Sequence, residues 1–324
     1  MSNKILIIDA MNTFIRNYVM NPSLSATGSP IGGTKGFLMT TQKLAREINP
    51  DKIIVVWDGG GGSAKRRAIV KEYKEGRKPL KLSKLNRAYD GMSTLEESQN
   101  RFDQMHRTIE YLNEMPVVQL MLEDVEADDV IAYICQMSSL KGKIKIIVSM
   151  DKDFIQLCDN ETMIYQPIQN NFLNEKRVLE RFGIHPNNFA IARAIDGDKS
   201  DNLEGIKGIG LKTIAKKIPL LANEKTYTLD DLEKFCREHQ DEVKIFKNIL
   251  DEYGKVELNY KMMQLYIPLI SIQGSQHIRT TVEKFKPSLN RTEILKMMVL
   301  DGINEFNWNS LFQKFRSIVE DDRH

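Results

Sequence analysis

Residues 4–9 read KILIID, an uninterrupted apolar run that ends on one aspartate, Asp9. The same pattern recurs in KIIVVWD, which ends at Asp58, and in KIKIIVSMD, which ends at Asp151. Such Ile- and Val-rich runs predict parallel strands that are buried on both faces. In open α/β sheets, ligands bind at the carboxyl ends of the strands. The three runs therefore predict an α/β fold in which a central, mostly parallel sheet, flanked by helices, brings three carboxylates to one edge.

Two acidic clusters accompany these runs, VEADDVIA at 125–132 and GDKSD at 197–201, and a further carboxylate, Asp153, follows the third run. Acidic residues in the first turn of a helix also favour the helix dipole, so Asp128 and Asp129 alone fit an ordinary helix start. Like charges gathered in one crevice repel one another unless cations compensate them. The acidic segments taken together predict a metal-dependent active site.

The composition is that of a globular protein of 324 residues, of which 41% are hydrophobic, with a formal net charge of +2. No apolar stretch approaches the roughly 20 residues of a membrane span, and the N-terminus enters a strand pattern directly instead of a signal peptide. Cys135, Cys158 and Cys236 form no CxxC pair, which argues against a disulfide framework and a zinc site. We therefore expect a cytoplasmic protein without membrane contact.

Positive charge is concentrated after a run of four glycines at residues 59–62. The run predicts a flexible tether, and no Gly-Lys-Ser/Thr follows it, so it is not a Walker-type phosphate loop. Residues 64–87 contain ten Lys or Arg and two Glu. This stretch fits either an arm that holds a polyanion or a solvated lysine-rich helix. Residues 64–103 have weak periodicity, which is typical of a functional or mobile segment, and a helix pattern returns at about 102–114.

From about residue 186 the pattern becomes helical. Within it, residues 205–217 read GIKGIGLKTIAKK, in which glycine turns open a helix with four lysines and no acid. Backbone N–H groups at such a turn are donors for a phosphate, and the lysines add positive charge. An ordinary helix cap followed by a turn accounts for the motif equally well. Residues 224–324 predict further helices.

Seven motifs occur in order over roughly residues 4–265: IIDAMN, GSPIGGTKGF, VVWDG, KRRAIVKEYKEGRKP, VEADDVIA, SMDKDFIQL and GDKSDNLEGIKGIGLKTIAKKI. In content, order and spacing they resemble the structure-specific 5′-nucleases. That family includes flap endonucleases, the 5′-nuclease domains of bacterial DNA polymerases, and bacteriophage 5′-nucleases of the ribonuclease H type. The resemblance implies a PIN-like nuclease core with a helical arch and a helix-hairpin-helix region.

The resemblance also implies roles for individual residues. The acids that bind the family's first metal ion would be Asp9, Asp58, Glu126 and Asp128. Those of the second would be Asp129, Asp151, Asp153, Asp198 and Asp201. Tyr73, Lys74 and Arg77 match the family's YKxxR pattern, which implies that Lys74 and Arg77 lie over the scissile phosphate and that Tyr73 stacks on a base. The implied nucleic-acid contacts are Arg16, Arg66, Arg67, Gly205, Lys207, Gly208, Gly210, Lys212, Lys216 and Lys217.

As cofactors the resemblance implies two Mg²⁺ ions, with Mn²⁺ as a substitute, and one K⁺ ion at the glycine hairpin. The substrate would be duplex DNA or an RNA–DNA hybrid with a single-stranded 5′ end or flap. Phosphodiester hydrolysis by a 5′-3′ exonuclease and flap endonuclease would then remove RNA primers during DNA replication. We expect a monomer, with a single-strand-binding protein or a clamp as candidate partners. The predicted domains are a nuclease core at 1–185 with its arch at about 64–103, a helix-hairpin-helix region at 186–270 and a C-terminal helical extension at 271–324.

Three other interpretations stay open at this point. Asp151 and Asp153 form a DxD pattern that phosphatases and phosphotransferases also place after a strand. The acidic pocket also fits a PIN-type single-strand ribonuclease, and the hairpin with its lysines also fits a non-catalytic duplex DNA-binding module. The first leaves Asp9 and Asp58 without a role, the second leaves the hairpin region unexplained, and the third leaves the dense carboxylates unexplained.

Overall fold

A central sheet of six strands forms the core of the protein. The computed structural model describes residues 3–76, 80–84, 86–303 and 308–321, without the side chains of residues 308, 311 and 321. The strands of the sheet are β1 Lys4–Asp9, β2 Lys52–Trp57, β3 Val117–Met121, β4 Ile144–Val148, β5 Thr162–Gln166 and β6 Asn171–Leu173.

The strand order is β3-β2-β1-β4-β5-β6, and every pair is parallel except β5 with β6. The chain proceeds from β1 to β2 and β3 on one side and returns to β4 on the other side. The strand order therefore reverses between β1 and β4. In α/β sheets, ligands bind at the carboxyl ends of the strands beside such a switch point. Asp9 ends β1, Asp58 directly follows β2, and Asp151 lies shortly beyond β4. The predicted fold class is confirmed, and three neighbouring strands carry the three aspartates to one edge.

Helices cover both faces of the sheet. Those in the described ranges are α1 Ala10–Met20, α2 Gly32–Ile48, α3 Ala64–Arg67, α4 Thr94–Asn113, α5 Ala127–Gln136, α6 Glu175–Phe182, α7 Phe189–Asp196, α8 Leu211–Lys217, α9 Leu229–His239, α10 Lys244–Asp251, α11 Tyr253–Met263, α12 Ile272–Lys284, α13 Arg291–Asp301 and α14 Trp308–Asp321. Between α7 and α8, two short strands, β7 Gly197–Asp198 and β8 Leu203–Glu204, pair antiparallel. No helix within these ranges combines the length and the apolar character that a membrane span requires.

Alternate residues of the central strands build a hydrophobic layer on each face of the sheet. Ile5 and Ile7 of β1 belong to the layer that includes residues of α5, α7 and α12, while Leu6 and Ile8 belong to the layer that includes residues of α1, α2, α13 and α14. All four side chains are buried, and each stabilises the fold by about 1.5–3 kcal/mol relative to an exposed position. Burial on both faces explains why the β1 and β2 runs are apolar between their first lysine and their aspartate. In β4, the buried Lys145 is an exception, and its ammonium pairs with Glu161 at 2.8 Å. From residue 186 the described chain is helical, as predicted, except at the short strands β7 and β8. The division into three domains stays a prediction.

Helix α4 begins at Thr94, about eight residues before the start that periodicity predicts. The cause is a capping box, in which the hydroxyl of Ser93 accepts from the N–H of Glu96 and the carboxylate of Glu96 accepts from the N–H of Ser93. This pairing satisfies two backbone donors at the helix start and favours helix over loop there. The sequence contains this Ser-x-x-Glu spacing. The first turns of α4 are polar, so hydrophobic periodicity does not indicate the helix before residue 102.

The stretch before α4 is also packed. Nδ2 of Asn86 donates to the carbonyl oxygens of Tyr18 and Val19 at the end of α1. The ring of Tyr89 lies 5.0 Å from that of Tyr18, and its hydroxyl accepts from Gln104 of α4 at 2.9 Å. Residues 86–93 are therefore packed against α1 and α4, whereas weak periodicity predicts a functional or mobile segment. A functional role for this segment stays a prediction.

The glycine run is an ordered turn, and the prediction of a flexible tether is wrong. The N–H of Gly59 donates to the carbonyl oxygen of Val125 at 3.1 Å, and the carbonyl oxygen of Gly60 accepts from the same loop at 2.9 Å. A Cβ at Gly59 would overlap the carbonyl oxygen of Leu122, whereas a Cβ at Gly60 would have no atom within 4 Å. The first glycine therefore permits close contact between the end of β2 and the loop before α5, which both carry predicted site acids.

We expect Gly59→Ala to lower the free energy of unfolding by on the order of 2 kcal/mol, since the clash is with backbone that cannot rotate away. Gly60→Ala is the matched control, because the added methyl group enters open space. Urea unfolding followed by circular dichroism measures both variants. Equal losses in the two variants would contradict the close contact at Gly59.

Candidate active site

Hydrogen bonds hold Asp9 and Asp58 at the ends of their strands. Asp9 caps α1, because its Oδ1 accepts from the N–H of Asn12 at 3.1 Å, and its Oδ2 accepts from the hydroxyl of Ser149 at 2.9 Å. Oδ1 of Asp58 accepts from the N–H of Ala127, the first residue of α5, at 2.9 Å. Each carboxylate therefore joins a strand end to a helix start, which fixes its position at the edge of the sheet.

Asp128 and Asp151 complete a group of carboxylates that repel one another. Burial raises the pKa of Asp128 well above its usual value, and the charges of Asp151, Asp9 and Asp58 raise it further. Burial raises the pKa of Asp9 to about 7, with smaller contributions from Asp58 and Asp151. Lys74 opposes the repulsion at Asp128. A divalent cation would relieve this unfavourable concentration of negative charge.

A second group of acids surrounds Arg193 of α7, whose side chain is only 4% exposed. Its Nε donates to Asp153 at 2.7 Å and its Nη2 donates to Asp198 at 2.6 Å. Oδ1 of Asp151 accepts from the N–H of Asp153 at 2.8 Å. Burial raises the pKa of Asp151, and the charges of Asp198 and Asp201 add to this effect. Asp151 therefore interacts with both acid groups.

Glu126 makes several polar contacts through its carboxylate. It accepts from Nζ of Lys74 at 2.7 Å, from Nη1 of Arg66 at 2.8 Å, from the hydroxyl of Ser63 at 2.6 Å and from the hydroxyl of Tyr73 at 3.2 Å. Burial raises the pKa of Glu126, but Lys74 and Arg66 more than offset it, so the pKa lies below its usual value. Glu126 is thus ionised and surrounded by donors from the segment after β2.

Arg66 and Asp129 take internal roles that differ from the predicted ones. Arg66 is 3% exposed; besides Glu126, it pairs with Asp129 at 2.7 Å and donates through Nε to the carbonyl oxygen of Met262 at 2.9 Å. The other oxygen of Asp129 accepts from the N–H of Leu269 at 2.8 Å. The prediction of Arg66 as a nucleic-acid contact and of Asp129 as a metal ligand is therefore corrected, since the two form a buried ion pair.

The three residues of the predicted YKxxR motif differ in their agreement with the predicted roles. Tyr73 is 3% exposed, and its hydroxyl donates to Asp201 at 3.2 Å as well as to Glu126, so it has no free ring face to stack on a base and that prediction is corrected. Lys74 is half-buried and points its ammonium at Glu126. Arg77 lies outside the described residues.

The acids have the chemistry of a Mg²⁺ or Mn²⁺ site, because carboxylate oxygens are the ligands that these ions prefer. In the described part of the chain, no three acidic, imidazole or thiol side chains are gathered tightly enough to enclose an ion by themselves. Mg²⁺ keeps several waters and binds through only one or two carboxylates, so separated carboxylates along a crevice suit it. Such a crevice, of about 410 Å³, is lined by Asp151, Asp198 and Arg193 among others. The residues present therefore fit divalent ions held partly through water.

The glycine hairpin lies at the start of α8, as predicted. Gly208 has φ +80°, in the left-handed region that favours glycine, and Gly210 directly precedes the helix. A Cβ at Gly205 would overlap the carbonyl oxygen of Asp196, so the hairpin packs closely on the end of α7. Of the hairpin lysines, Lys207, Lys212 and Lys216 are exposed and Lys217 is half-buried. Positive charge is therefore presented to solvent at this turn.

Two further arginines lie near the predicted site. Nη1 of Arg16, on α1, is buried and has no hydrogen-bond partner among the residues that the structure describes, and burial lowers the pKa of this side chain. A buried donor of this kind is normally satisfied, and a phosphate oxygen would satisfy it. Arg67 is exposed, and its Nε donates to the carbonyl oxygen of Tyr73 at 3.2 Å. Both stay candidate nucleic-acid contacts.

Two residues outside the predicted set, Ser149 and Arg193, hold the site together. The hydroxyl of Ser149 donates to Asp9 and accepts from the N–H of Asp151 at 3.0 Å, so it joins the ends of β1 and β4. Arg193 connects Asp153 to Asp198 of the GDKSD segment. Its signal was a lone arginine within the apolar helix sequence FAIARAI, which is typical of a buried ion pair. The signal of Ser149 was weaker, since serine is common at strand ends.

Comparison with known proteins identifies relatives over most of the chain. The family model described as 5′-3′ exonuclease, N-terminal resolvase-like domain, matches residues 4–183. A 5′-3′ exonuclease of Aquifex aeolicus is 31% identical over 90% of this chain and 93% of its own length. The flap endonuclease Xni of Shewanella sp. strain MR-4 is 30% identical over 66% of this chain and 74% of its own length.

Among solved structures, the fold matches that of the bacteriophage T5 D15 flap endonuclease in a pseudo-enzyme-product complex with DNA and metal ions. The TM-score is 0.63 at 19% identity, over 99% of this chain and 100% of that chain. At this level of identity the match concerns the fold alone. The family model and the Aquifex relative establish more: the chain is a nuclease that belongs to the family of 5′-3′ exonucleases and flap endonucleases.

Proposed function

We propose that the protein is a divalent-metal-dependent, structure-specific 5′-nuclease that acts on duplex DNA or an RNA–DNA hybrid with a single-stranded 5′ end or flap. The observation that carries this proposal is the group of mutually repelling carboxylates at the sheet edge, formed by Asp9, Asp58, Asp128 and Asp151. Carboxylates repel a polyanion, so nucleic-acid binding alone gives no reason to gather them, whereas metal-assisted hydrolysis does. Membership of the exonuclease family and the likeness to a structure with DNA and metal ions support it.

Two Mg²⁺ ions, with Mn²⁺ as a substitute, would be held by two sets of acids. The first set is Asp9, Asp58, Glu126 and Asp128, and the second is Asp151, Asp153, Asp198 and Asp201. Glu126 would act through water, because both its oxygens already accept hydrogen bonds, from Lys74 and Arg66 among others. Bound divalent ions lower the pKa of coordinated water and neutralise charge on a phosphate. Arg193 would orient the second set, since it binds one oxygen of Asp153 and one of Asp198. The other oxygen of Asp198 accepts from the N–H and the hydroxyl of Ser200, which fixes this carboxylate further.

Lys74 would stabilise the charge that develops on the scissile phosphate. Its Nζ lies 2.7 Å from Glu126, at the margin of the first acid set. Burial lowers the pKa of Lys74, but Glu126 and Asp128 raise it more, so the side chain stays protonated. Arg77 would act beside it, as the motif predicts. Arg16 would donate to a neighbouring phosphate through the buried Nη1.

The glycine hairpin would hold the duplex next to the cleavage site. Backbone N–H groups near Gly205, Gly208 and Gly210 would approach a phosphate, and the lysines at 207, 212, 216 and 217 would add charge. A K⁺ ion at this hairpin stays a prediction. We further propose that the biological role is removal of RNA primers during DNA replication. The monomeric state, the cytoplasmic location and contact with a single-strand-binding protein or clamp also stay predictions.

The proposed activity is tested with end-labelled 5′-flap, nicked-duplex and RNA-primed substrates, in Mg²⁺ and again in EDTA. We expect cleavage near the junction in Mg²⁺ or Mn²⁺ and none in EDTA, because the acids alone supply no positive charge to the phosphate. Cleavage that survives EDTA would contradict the metal requirement. Absence of cleavage on every substrate with a 5′ end at a duplex junction would contradict the proposed specificity.

Asp128 and Asp129 are adjacent in sequence but have different proposed roles. Asp128 would bind metal, whereas Asp129 stabilises the fold. We expect Asp128→Asn to lower kcat on the order of 100-fold or more, without loss of stability, because neutral Asn removes repulsion that raises the pKa of Asp128 in the fold. Asp129→Asn should instead lower the free energy of unfolding by about 3 kcal/mol, because it weakens the buried pair with Arg66. Single-turnover kinetics and urea unfolding measure the two effects. If Asp129→Asn lost activity but kept full stability, the structural role would be contradicted and Asp129 would be a metal ligand, as the resemblance implies.

The exposed lysines of α8 should affect binding more than turnover. The double variant Lys212→Ala/Lys216→Ala should weaken binding and reduce the slope of log K against log salt concentration by about 0.9 for each phosphate that these lysines neutralise. Its kcat at saturating substrate should change little. Lys284→Ala/Lys296→Ala, on α12 and α13, removes the same number of exposed charges and is the control. Fluorescence anisotropy with a 5′-flap duplex measures binding, and equal slopes in the two double variants would contradict the assignment.

A further inference from the structure

The loop between β7 and β8 is bonded to the loop that carries Lys74. Nδ2 of Asn202 donates to the carbonyl oxygen of Glu72 at 2.8 Å and to that of Glu75 at 2.5 Å. The N–H of Lys74 donates to the carbonyl oxygen of Asp201 at 3.1 Å. From these contacts we propose that Asn202 is a positioning residue, which holds Lys74 in place for the reaction through the backbone on both sides of it.

Lys74 needs this support because its backbone conformation is unfavourable. Its φ is +58°, in the left-handed region that a residue with a Cβ rarely occupies. A residue stays in this region only where surrounding bonds over-determine it. Within its own turn, one bond, from the N–H of Glu75 to the carbonyl oxygen of Glu72, supports this conformation at 2.9 Å. Arg67, which donates to the carbonyl oxygen of Tyr73, and Glu126, which accepts from Nζ of Lys74, add restraint from the same side. The bonds from the facing loop restrain the backbone of Lys74 itself, and without them its Cα and side chain would be free to shift.

Asn202 is suited to this task by its own conformation. Its φ is +59°, also left-handed, which Asn tolerates better than most residues. The two hydrogens of Nδ2 are both used by the two carbonyl oxygens, so the amide has no donor left for a substrate. Asn202 therefore acts on the loop of Lys74 and not on the reacting phosphate.

The loop that contains Asn202 also carries two of the proposed metal ligands. At its start, Asp198 pairs with the buried Arg193 at 2.6 Å, and Arg193 also donates to the carbonyl oxygen of Gly197 at 2.9 Å. At its end, the carboxylate of Asp201 accepts from the hydroxyl of Tyr73, the residue before Lys74. The loop is thus fixed to α7 at one end and to the lysine's loop at the other. The position of Lys74 is thereby coupled to that of the second acid set.

This inference rests on the proposed function, since it takes Lys74 to act on the phosphate. The test compares Asn202→Gly with Asn170→Gly, on the turn between β5 and β6. The backbone of Asn170 is also in the left-handed region, and its Oδ1 accepts from Lys43 at 2.9 Å and from Tyr165 at 2.6 Å. Glycine keeps the left-handed backbone at both positions and removes two side-chain hydrogen bonds from each. We expect Asn202→Gly to lower kcat on a 5′-flap substrate on the order of tenfold with little change in KM, and Asn170→Gly to retain both.

A double-substitution cycle with Lys74→Ala separates positioning from a general structural effect. If Asn202 acts through Lys74, Asn202→Gly lowers kcat in the wild-type background and has no further effect in Lys74→Ala. Losses that multiply in the double variant would overturn the proposal. Tryptic cleavage after Lys74, followed by mass spectrometry, should be faster in Asn202→Gly than in wild type or Asn170→Gly, and an unchanged rate would also overturn it.

Failure of this inference is distinct from failure of the proposed function. A wild-type protein that cleaves no 5′-flap substrate in Mg²⁺ would refute the proposed function. A wild-type protein that cleaves, together with full kcat in Asn202→Gly, would refute only the positioning role. If the glycine variant does not fold, Asn202→Asp takes its place, because its carboxylate keeps the side-chain shape but cannot donate to the two carbonyl oxygens. The same loss of kcat is expected.

Discussion

The concentration of like charge at the carboxyl edge of the sheet is the constraint on which the site depends. Burial and mutual repulsion raise the pKa values of Asp9, Asp128 and Asp151. Such a group is compatible with a stable fold only if protons or nearby positive charge neutralise part of it. The protein supplies part of this charge from its own chain, through Arg66, Lys74 and Arg193. The remaining repulsion acts among Asp9, Asp128 and Asp151, next to both proposed metal sites.

The internal cations also connect segments that are distant in sequence. Arg66 joins the segment after β2 to Glu126 and Asp129 near the start of α5 and, through Met262, to α11. Arg193 joins the acid after β4 to the loop between β7 and β8. Because these pairs are buried, loss of either partner leaves an uncompensated charge. The loops around the acids are therefore positioned by electrostatic pairing, in addition to the apolar layers that hold the sheet and its helices.

Most of the acids could be predicted from the sequence, because strand-end position and local spacing identify them. The partners of those acids could not, since charge alone does not distinguish an exposed arginine from a buried one. Arg66 and Arg67 are adjacent and chemically identical, yet Arg66 is enclosed by Glu126 and Asp129 while Arg67 is exposed. The glycine run shows the same limit. Four glycines indicate flexibility locally, and only the approach of the loop before α5 makes them an ordered contact.

The sequence by itself determined the class of the fold and the location of the site. Both-face burial requires continuous apolar runs, and the aspartates that end or follow them must lie at one edge of a parallel sheet. Only the tertiary structure decided which carboxylates stay uncompensated and which are neutralised. That distinction depends on contacts such as Arg66 with Asp129 and Asn202 with Glu72, between residues far apart along the chain. Electrostatic interactions depend on distance and burial, which are properties of the folded chain and not of its local pattern.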